Sequence, residues 1–237
     1  MGILNLPAGQ QAHVIAEIND WLKSQPAPTR AAWALGHLPG PHVVSSSFGV
    51  QSAVMLHMLT QVKPDIPVLL ADTGYLFPET YRYVDELAGR LSLNLYVSRA
   101  DMSPAWQETK FGQLWDQGPE GLKKYNAMNK VEPMAKALDN LEAKTWFTGL
   151  RRVQAETRSD IPFAEVKDGR VKVHPLADWS NKAVYKYMKA HDLPQHPLWE
   201  EGYVSVGDTH STQKLQPGMR EEDTRFGGQG RECGLHT

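Results

Sequence analysis

The run Ile66-Pro67-Val68-Leu69-Leu70-Ala71 has no charged or polar side chain at any position. A strand with one wet face alternates polar and apolar residues. A strand that is apolar throughout is covered on both faces, as the central strand of a parallel sheet between two layers of helix is. This stretch therefore restricts the chain to an α/β class. His42-Val43-Val44-Ser45-Ser46, Leu93 to Val97 and Thr145 to Leu150 read as further short strands. Ala53 to Val62 is apolar nearly all round, as a helix lying on a sheet is, and Pro78 to about Leu91 is a second helical stretch. Strand and helix alternate, so the expected fold is a doubly wound, mostly parallel α/β sheet with helices on both faces.

The rest of the chain divides around this sheet. Val14, Ile15, Ile18, Trp21 and Leu22 recur at helical spacing until Pro26 and Pro28, and a second helix runs from Thr29 to about Leu38, where Pro39-Gly40-Pro41 breaks it. Residues 1–40 thus form a helical appendage with no visible chemistry, suited to packing or dimer formation. Residues 41–212 form the α/β unit, and 213–237 a flexible tail. Ser103 to Gly121 reads as helix and loop bordering the site, followed by a helix that ends near Leu141. Lys167-Asp168-Gly169-Arg170 is a hairpin turn, and a helix from Lys182 to about His191 follows Ser180-Asn181. At 237 residues with 41% hydrophobic content the chain can bury a core.

A net charge of −2 argues against bulk nucleic-acid or membrane binding, so an anionic ligand must meet a local basic cluster. The amino terminus lacks the basic and apolar regions of a signal peptide, and no apolar run is long enough to span a bilayer. The expected location is the cytoplasm. A single cysteine, Cys233, excludes an internal disulfide and a cysteine-ligated metal or iron–sulfur site within one chain.

Four places carry candidate chemistry. Ser47-Phe48-Gly49-Val50-Gln51-Ser52 joins a strand to a helix, an arrangement that aims N–H groups at an anion; serines also serve as ordinary N-caps. Asp72-Thr73-Gly74 stands beyond the carboxyl end of the central strand, where doubly wound sheets bind ligands, or is a capping turn. Arg151, Arg152 and Arg158 follow another strand. If that segment is helical, Arg151 and Arg158 share a face and Arg152 can pair with Glu156. They clamp phosphate or sulfate oxygens or form a solvated face. Cys233 has Gly227, Gly228 and Gly230 before it and only Leu235 as an apolar neighbour, which favours an exposed nucleophile over a buried hydrophobe.

This combination resembles the assimilatory phosphoadenylyl-sulfate (PAPS) reductases of the adenine nucleotide α-hydrolase-like superfamily, from about Ser45 to His236. The motifs are Ser45-x-Ser47-Phe48-Gly49-x-x-Ser52, Asp72-Thr73-Gly74-Tyr75-x-Phe77-Pro78-Glu79-Thr80, Gly149-Leu150-Arg151-Arg152-x-Gln154-x-x-x-Arg158, Gly202-Tyr203-x-Ser205-x-Gly207-Asp208-x-His210, and Glu232-Cys233-Gly234-Leu235-His236. The first loop is similar to the SGGxDS loop of ATP-cleaving relatives, but Phe48 stands for a glycine and Gln51 for the aspartate, which weakens the case for magnesium-assisted ATP chemistry. Adenylyl-sulfate (APS) reductases of this group hold an iron–sulfur cluster on four cysteines. The matching positions here are Tyr125, Asn126, Asp208 and Ser211.

The resemblance therefore implies the cluster-free branch, with no bound cofactor or metal. It implies Cys233 as nucleophile, aided by Arg231 and His236, and PAPS as substrate. Thioredoxin or glutaredoxin is the implied external dithiol, and a homodimer the implied assembly. Ser45, Ser47, Phe48, Gly49, Ser52, Asp72, Thr73, Gly74, Phe77, Tyr203 and His210 are the implied nucleotide contacts. Lys130, Arg151, Arg152 and Arg158 are candidates for the phosphosulfate and 3′-phosphate. The alternatives are APS reduction and an ATP-using adenylyltransferase or pyrophosphatase.

Overall fold

The computed structural model describes residues 2–226 and Gly234. Its elements are α1 (Ala8–Lys23), α2 (Ala27–His37), β1 (His42–Ser45), α3 (Ala53–Thr60), β2 (Pro67–Ala71), α4 (Pro78–Leu91), β3 (Asn94–Ser98), α5 (Pro104–Phe111), α6 (Gly118–Asn126), α7 (Glu132–Asn140), β4 (Thr145–Phe147), β5 (Ala164–Lys167), β6 (Arg170–Val173) and α8 (Asn181–Ala190). The strands form one sheet in the order β3-β2-β1-β4-β6-β5. Every neighbouring pair is parallel except the β5–β6 hairpin. Its turn residues Asp168 and Gly169 both have positive φ, the geometry two-residue hairpins favour.

The apolar run that suggested a central strand is covered on both sides. Ile66, Val68, Leu69 and Leu70 are buried. Val68 and Leu70 join the main core with α3 and α4, while Leu69 packs on the opposite face with Met134, Ala137 and Leu138 of α7. The chain runs from β1 to β2 and β3 on one side, then returns to β4 on the other. That reversal is a topological switch point, and the crevice above it is where such sheets place ligands.

The two amino-terminal helices are bound to the sheet by more than apolar contact. Leu22 packs with Phe163, Ala164 and Ala177. Asn19 of α1 exchanges hydrogen bonds with the backbone of Ala164, satisfying part of the β5 edge. Arg30 of α2 is buried and fully paired. It donates to Leu22 O at 2.7 Å, to Pro175 O at 3.1 Å and to both carboxylate oxygens of Asp178 at 2.6 and 2.8 Å.

Two segments depart from the sequence expectation. Residues 151–158 are not an α-helix; they form two 3₁₀ turns, Arg152–Gln154 and Glu156–Arg158. Gln154 Oε1 accepts from both the Arg151 N–H and the Arg158 guanidinium, so the predicted Arg152–Glu156 helical pairing is replaced by an amide hub. Residues 118–140 are helical almost throughout, with a π-helical turn, Ala127–Val131, between α6 and α7. Among the described residues no helix is long and apolar enough to cross a membrane.

Candidate active site

A cleft of about 260 Å³ opens beyond the carboxyl ends of β1, β2 and β4. The 45–52 loop gives it Ser45, Ser46, Ser47, Gly49, Gln51 and Ser52; the end of β2 and the loop after it give Ala71 and Thr73; the π-helical turn gives Lys130. The segment after β4 supplies Thr148, Gly149, Leu150, Arg151, Gln154 and Arg158. Ser205 to Asp208, with Arg225 and Phe226, form the far wall.

The first loop turns sharply because Phe48 adopts φ +49, where glycine is normally needed. The cost of that conformation, about 1–2 kcal/mol, is offset by full burial of the Phe48 ring in the core, worth about 2–3 kcal/mol. The Phe48 N–H donates to Ser46 Oγ, and the Ser52 N–H to Gly49 O, which tightens the turn into α3. Gln51, where ATP-cleaving relatives carry an aspartate, anchors an arginine. Its Oε1 accepts from Arg151 Nη2, which also donates to Asn181 Oδ1, while Nη1 donates to Trp179 O. Arg151 is therefore buried yet held by three partners. Burial lowers its pKa to about 10, with Glu221 opposing and Arg158 adding to the effect, so it stays charged at neutral pH.

The second loop is tied to the far wall. Thr73 Oγ1 donates to Asp208 Oδ1 at 2.6 Å, and Lys130 Nζ lies 2.6 Å from Asp208 Oδ2. Burial alone would raise the Asp208 pKa. The Lys130 charge, the hydrogen bonds from Lys130 and Thr73, and Arg225 outweigh it and hold the carboxyl below its usual range. The carboxylate thus holds the Lys130 ammonium at the cleft wall.

Of the residues singled out in the sequence, Ser45, Ser47, Gly49, Ser52, Thr73, Lys130, Arg151 and Arg158 line this one cleft. Phe48, Asp72, Gly74, Phe77, Arg152, Tyr203 and His210 do not. Asp72 is occupied by Tyr81 Oη, the Gly74 N–H and Arg99 Nε, at 2.6, 2.9 and 2.8 Å. Gly74 has φ +77 against Pro104, where a β-carbon would come 2.6 Å from Pro104 Cγ. Phe77 and Tyr203 stack edge to face at 5.5 Å over Val50, Leu198 and Val206. Arg152 donates to Ile161 O and lies over the Phe163 ring at 4.8 Å, with Arg30 at 3.9 Å from the same ring. His210 stacks on Trp115 at 4.1 Å, bounded by the edges of Tyr75 and Tyr125, and burial pushes its pKa down to about 4 with Asp208 opposing. Cys233, Arg231 and His236 lie outside the described residues.

The sequence reading missed Gln51 as an arginine anchor and Asp208 as the partner of Lys130; it assigned Arg225, with Arg220, to holding the tail or to a solvated face, whereas Arg225 lines the cleft. The Gly207-Asp208 motif offered a signal for Asp208. The Arg225 guanidinium lies where a side chain at Gly207 would stand. Tyr125, Asn126, Asp208 and Ser211 carry no sulfur ligand, so these positions do not fit an iron–sulfur cluster.

A doubly wound sheet with a Ser/Gly loop and a cationic cleft at its switch point defines an adenine nucleotide α-hydrolase-like protein. Comparison with known proteins narrows the class. The phosphoadenosine phosphosulfate reductase domain matches residues 41–214. The phosphoadenosine 5′-phosphosulfate reductase of Serratia proteamaculans is 57% identical over 231 residues, covering 98% of this chain and 95% of that protein. That of Alteromonas mediterranea is 62% identical over 222 residues, covering 94% and 90%. The crystal structure of the phosphoadenylyl-sulfate reductase from Candida auris, a phosphate complex, superposes with a TM-score of 0.74 at 28% identity over 84% of this chain and 96% of that one. Candida glabrata FMN adenylyltransferase, at 15% identity, shares the fold with a TM-score of 0.58 over 92% of this chain and 79% of its own. The chain belongs to the phosphoadenosine phosphosulfate reductase family.

Proposed function

We propose that this chain reduces PAPS to sulfite and adenosine 3′,5′-bisphosphate, with Cys233 as nucleophile. The observation that carries the reading is the cleft: Lys130, Arg151, Arg158 and Arg225 line one crevice at the switch point, in a chain 57% identical to a PAPS reductase over nearly its full length.

The Cys233 thiolate attacks the sulfuryl sulfur of PAPS. The sulfur–oxygen bond to the phosphate breaks, and adenosine 3′,5′-bisphosphate leaves with the electron pair. The enzyme is left as S-sulfocysteine. A dithiol protein of the thioredoxin or glutaredoxin type attacks Cys233 Sγ, expels sulfite and forms a mixed disulfide. Its second thiol then releases Cys233 as thiolate. Two electrons pass to sulfur, and one disulfide appears on the donor. Lys130, Arg151, Arg158 and Arg225 neutralise the phosphosulfate and 3′-phosphate, Ser45 to Ser52 receive the nucleotide phosphate, and Thr73 faces it from the loop after β2. Arg231 and His236 favour the thiolate. Gly234, next in sequence to Cys233, lies against Val131, the neighbour of Lys130, which supports closure of the 213–237 segment on this wall.

Residues 41–212 act as the nucleotide-binding unit and 1–40 as its appendage, in a homodimer. No metal or cluster takes part, and the need for a dithiol protein places the reaction in the reducing cytoplasm. The test is sulfite release from PAPS and from APS, side by side, with reduced thioredoxin. The reading expects turnover with PAPS and at least about a hundredfold less with APS, the discrimination that about 3 kcal/mol of lost 3′-phosphate contacts would give. Equal turnover of both would overturn the assignment of substrate.

A further inference from the structure

A buried imidazole behind the cleft has no part in this chemistry. His174 follows β6 and is 1% exposed. Its Nδ1 lies 2.6 Å from Thr148 Oγ1, and its Nε2 lies 3.4 Å from Glu165 Oε1 on β5. Thr148, also 1% exposed, follows β4 and lines the cleft. Its Oγ1 accepts the Leu150 N–H at 3.4 Å. That bond bends the chain out of the sheet so that Gly149, Leu150 and Arg151 form cleft wall.

The donors and acceptors fix where the protons sit. A carboxylate only accepts, so His174 Nε2 carries the ring proton and donates it to Glu165. Nδ1 is then an acceptor. The one hydroxyl proton of Thr148 points at it, and the Thr148 lone pairs turn toward the Leu150 N–H. The result is a one-way line of hydrogen bonds from Leu150 through Thr148 and His174 to Glu165. Burial favours the neutral ring, with Glu165 opposing and Lys172 and Arg158 reinforcing. A doubly protonated ring would present an N–H to Thr148 and leave the Thr148 hydroxyl proton without the acceptor that Nδ1 provides.

We propose that His174 is a positioning residue for the nucleotide cleft: by taking the Thr148 hydroxyl proton it sets the Thr148–Leu150 turn and, through it, the backbone and the Arg151 side chain that receive the nucleotide. This rests on the cleft being the PAPS site.

Two substitutions separate the ring's two hydrogen bonds. His174→Asn puts a carboxamide oxygen where Nδ1 stands and keeps the acceptor for Thr148. His174→Gln reaches Glu165 with an N–H and offers Thr148 no acceptor. Adenosine 3′,5′-bisphosphate binding and PAPS turnover are measured for both, with melting as the control for folding. The expected result is a Kd about tenfold higher for His174→Gln, the cost of one lost buried hydrogen bond, with KM raised more than kcat is lowered. His174→Asn stays within about threefold of the parent. Equal Kd values for the two variants, with the parent binding normally, would overturn this inference alone. A parent chain that does not bind the nucleotide would overturn the proposed function and this inference together. Nitrogen NMR of the parent's His174 ring tests the proton assignment without any variant: the Nε2–H tautomer is expected, and an Nδ1–H tautomer would overturn the inference.

Discussion

Arg151 carries a charge into a wall that is nearly closed to water, and it does so because Gln51, Asn181 and the Trp179 carbonyl share its guanidinium. Such side chains were legible in the sequence only as types. Arginines after a strand announce an anion; which of them face the cleft depends on backbone turns that no spacing rule supplies. Arg151 and Arg158 line the cleft, whereas Arg152, between them, is used on Phe163 and Ile161. The place of Arg225 in the cleft was not legible because it is set by a glycine, Gly207, that leaves room for the guanidinium. Gly207→Ala should displace Arg225 and weaken nucleotide binding about tenfold, the value of one charge-assisted contact, while shifting the melting temperature little, since the displaced group is the end of a flexible side chain. Binding and melting measured together check this; unchanged affinity would remove Arg225 from the site. His196 makes a pH prediction. It is fully buried, accepts the Leu198 N–H at Nδ1, and therefore donates from Nε2 to Thr80 Oγ1. Burial pushes its pKa down to about 4, with Glu79 opposing. The unfolded ring takes up a proton near pH 6.5 while the folded ring stays neutral, so stability is full above that pH and falls as pH drops toward 4. Denaturant titrations should show a slope that His196→Asn reduces by up to about 1.4 kcal/mol per pH unit.

At the scale of elements the sequence was most readable where one rule acts alone. α4 begins at Pro78 and ends at Leu91, as the proline and the apolar spacing indicate, and the β5–β6 hairpin follows from Asp168-Gly169. α6 was hidden because Gly118, Pro119 and Gly121 look like breakers. Pro119 sits in the first turn, where its missing N–H is harmless. Gly121 is required because the Leu114 carbonyl occupies the space of a β-carbon. The 151–158 segment went the other way: its residues allow a helix, but Gln154 offers its amide to two arginine donors and fixes 3₁₀ turns instead. The amino-terminal helices, which showed no chemistry in the sequence, reach the site through Arg30. This side chain grips Asp178, one residue before the carbonyl that holds Arg151, and shares the Phe163 ring with Arg152. Arg30→Ala should cost about 3 kcal/mol, the lower end for breaking a buried pair, because Asp178 is half-exposed and rehydrates. Nucleotide affinity should fall as well. Denaturant unfolding and binding of the purified variant check both, and loss of stability without loss of affinity would make the appendage a scaffold only.

Across the whole molecule the order β3-β2-β1-β4-β6-β5 brings together loops that are far apart in the chain. Ser45–Ser52, Thr73, Lys130, Arg151 and Asp208 span more than half of the sequence and meet at one crevice. The alternation of strands and helices made the fold legible, and the switch point followed from it. The pairing of Lys130 with Asp208 was not legible, because it depends on the π-helical turn and the β2–α4 loop both reaching Asp208, far along the chain. The proposed reaction takes its nucleophile from the single cysteine of the chain, Cys233. The most direct test of that account is peptide mass spectrometry of the protein after incubation with PAPS and no dithiol. A sulfonate on the peptide bearing Cys233, removed by reduced thioredoxin and absent in Cys233→Ser, is the predicted result. An unmodified Cys233 peptide in a protein that nonetheless releases sulfite once thioredoxin is added would contradict it.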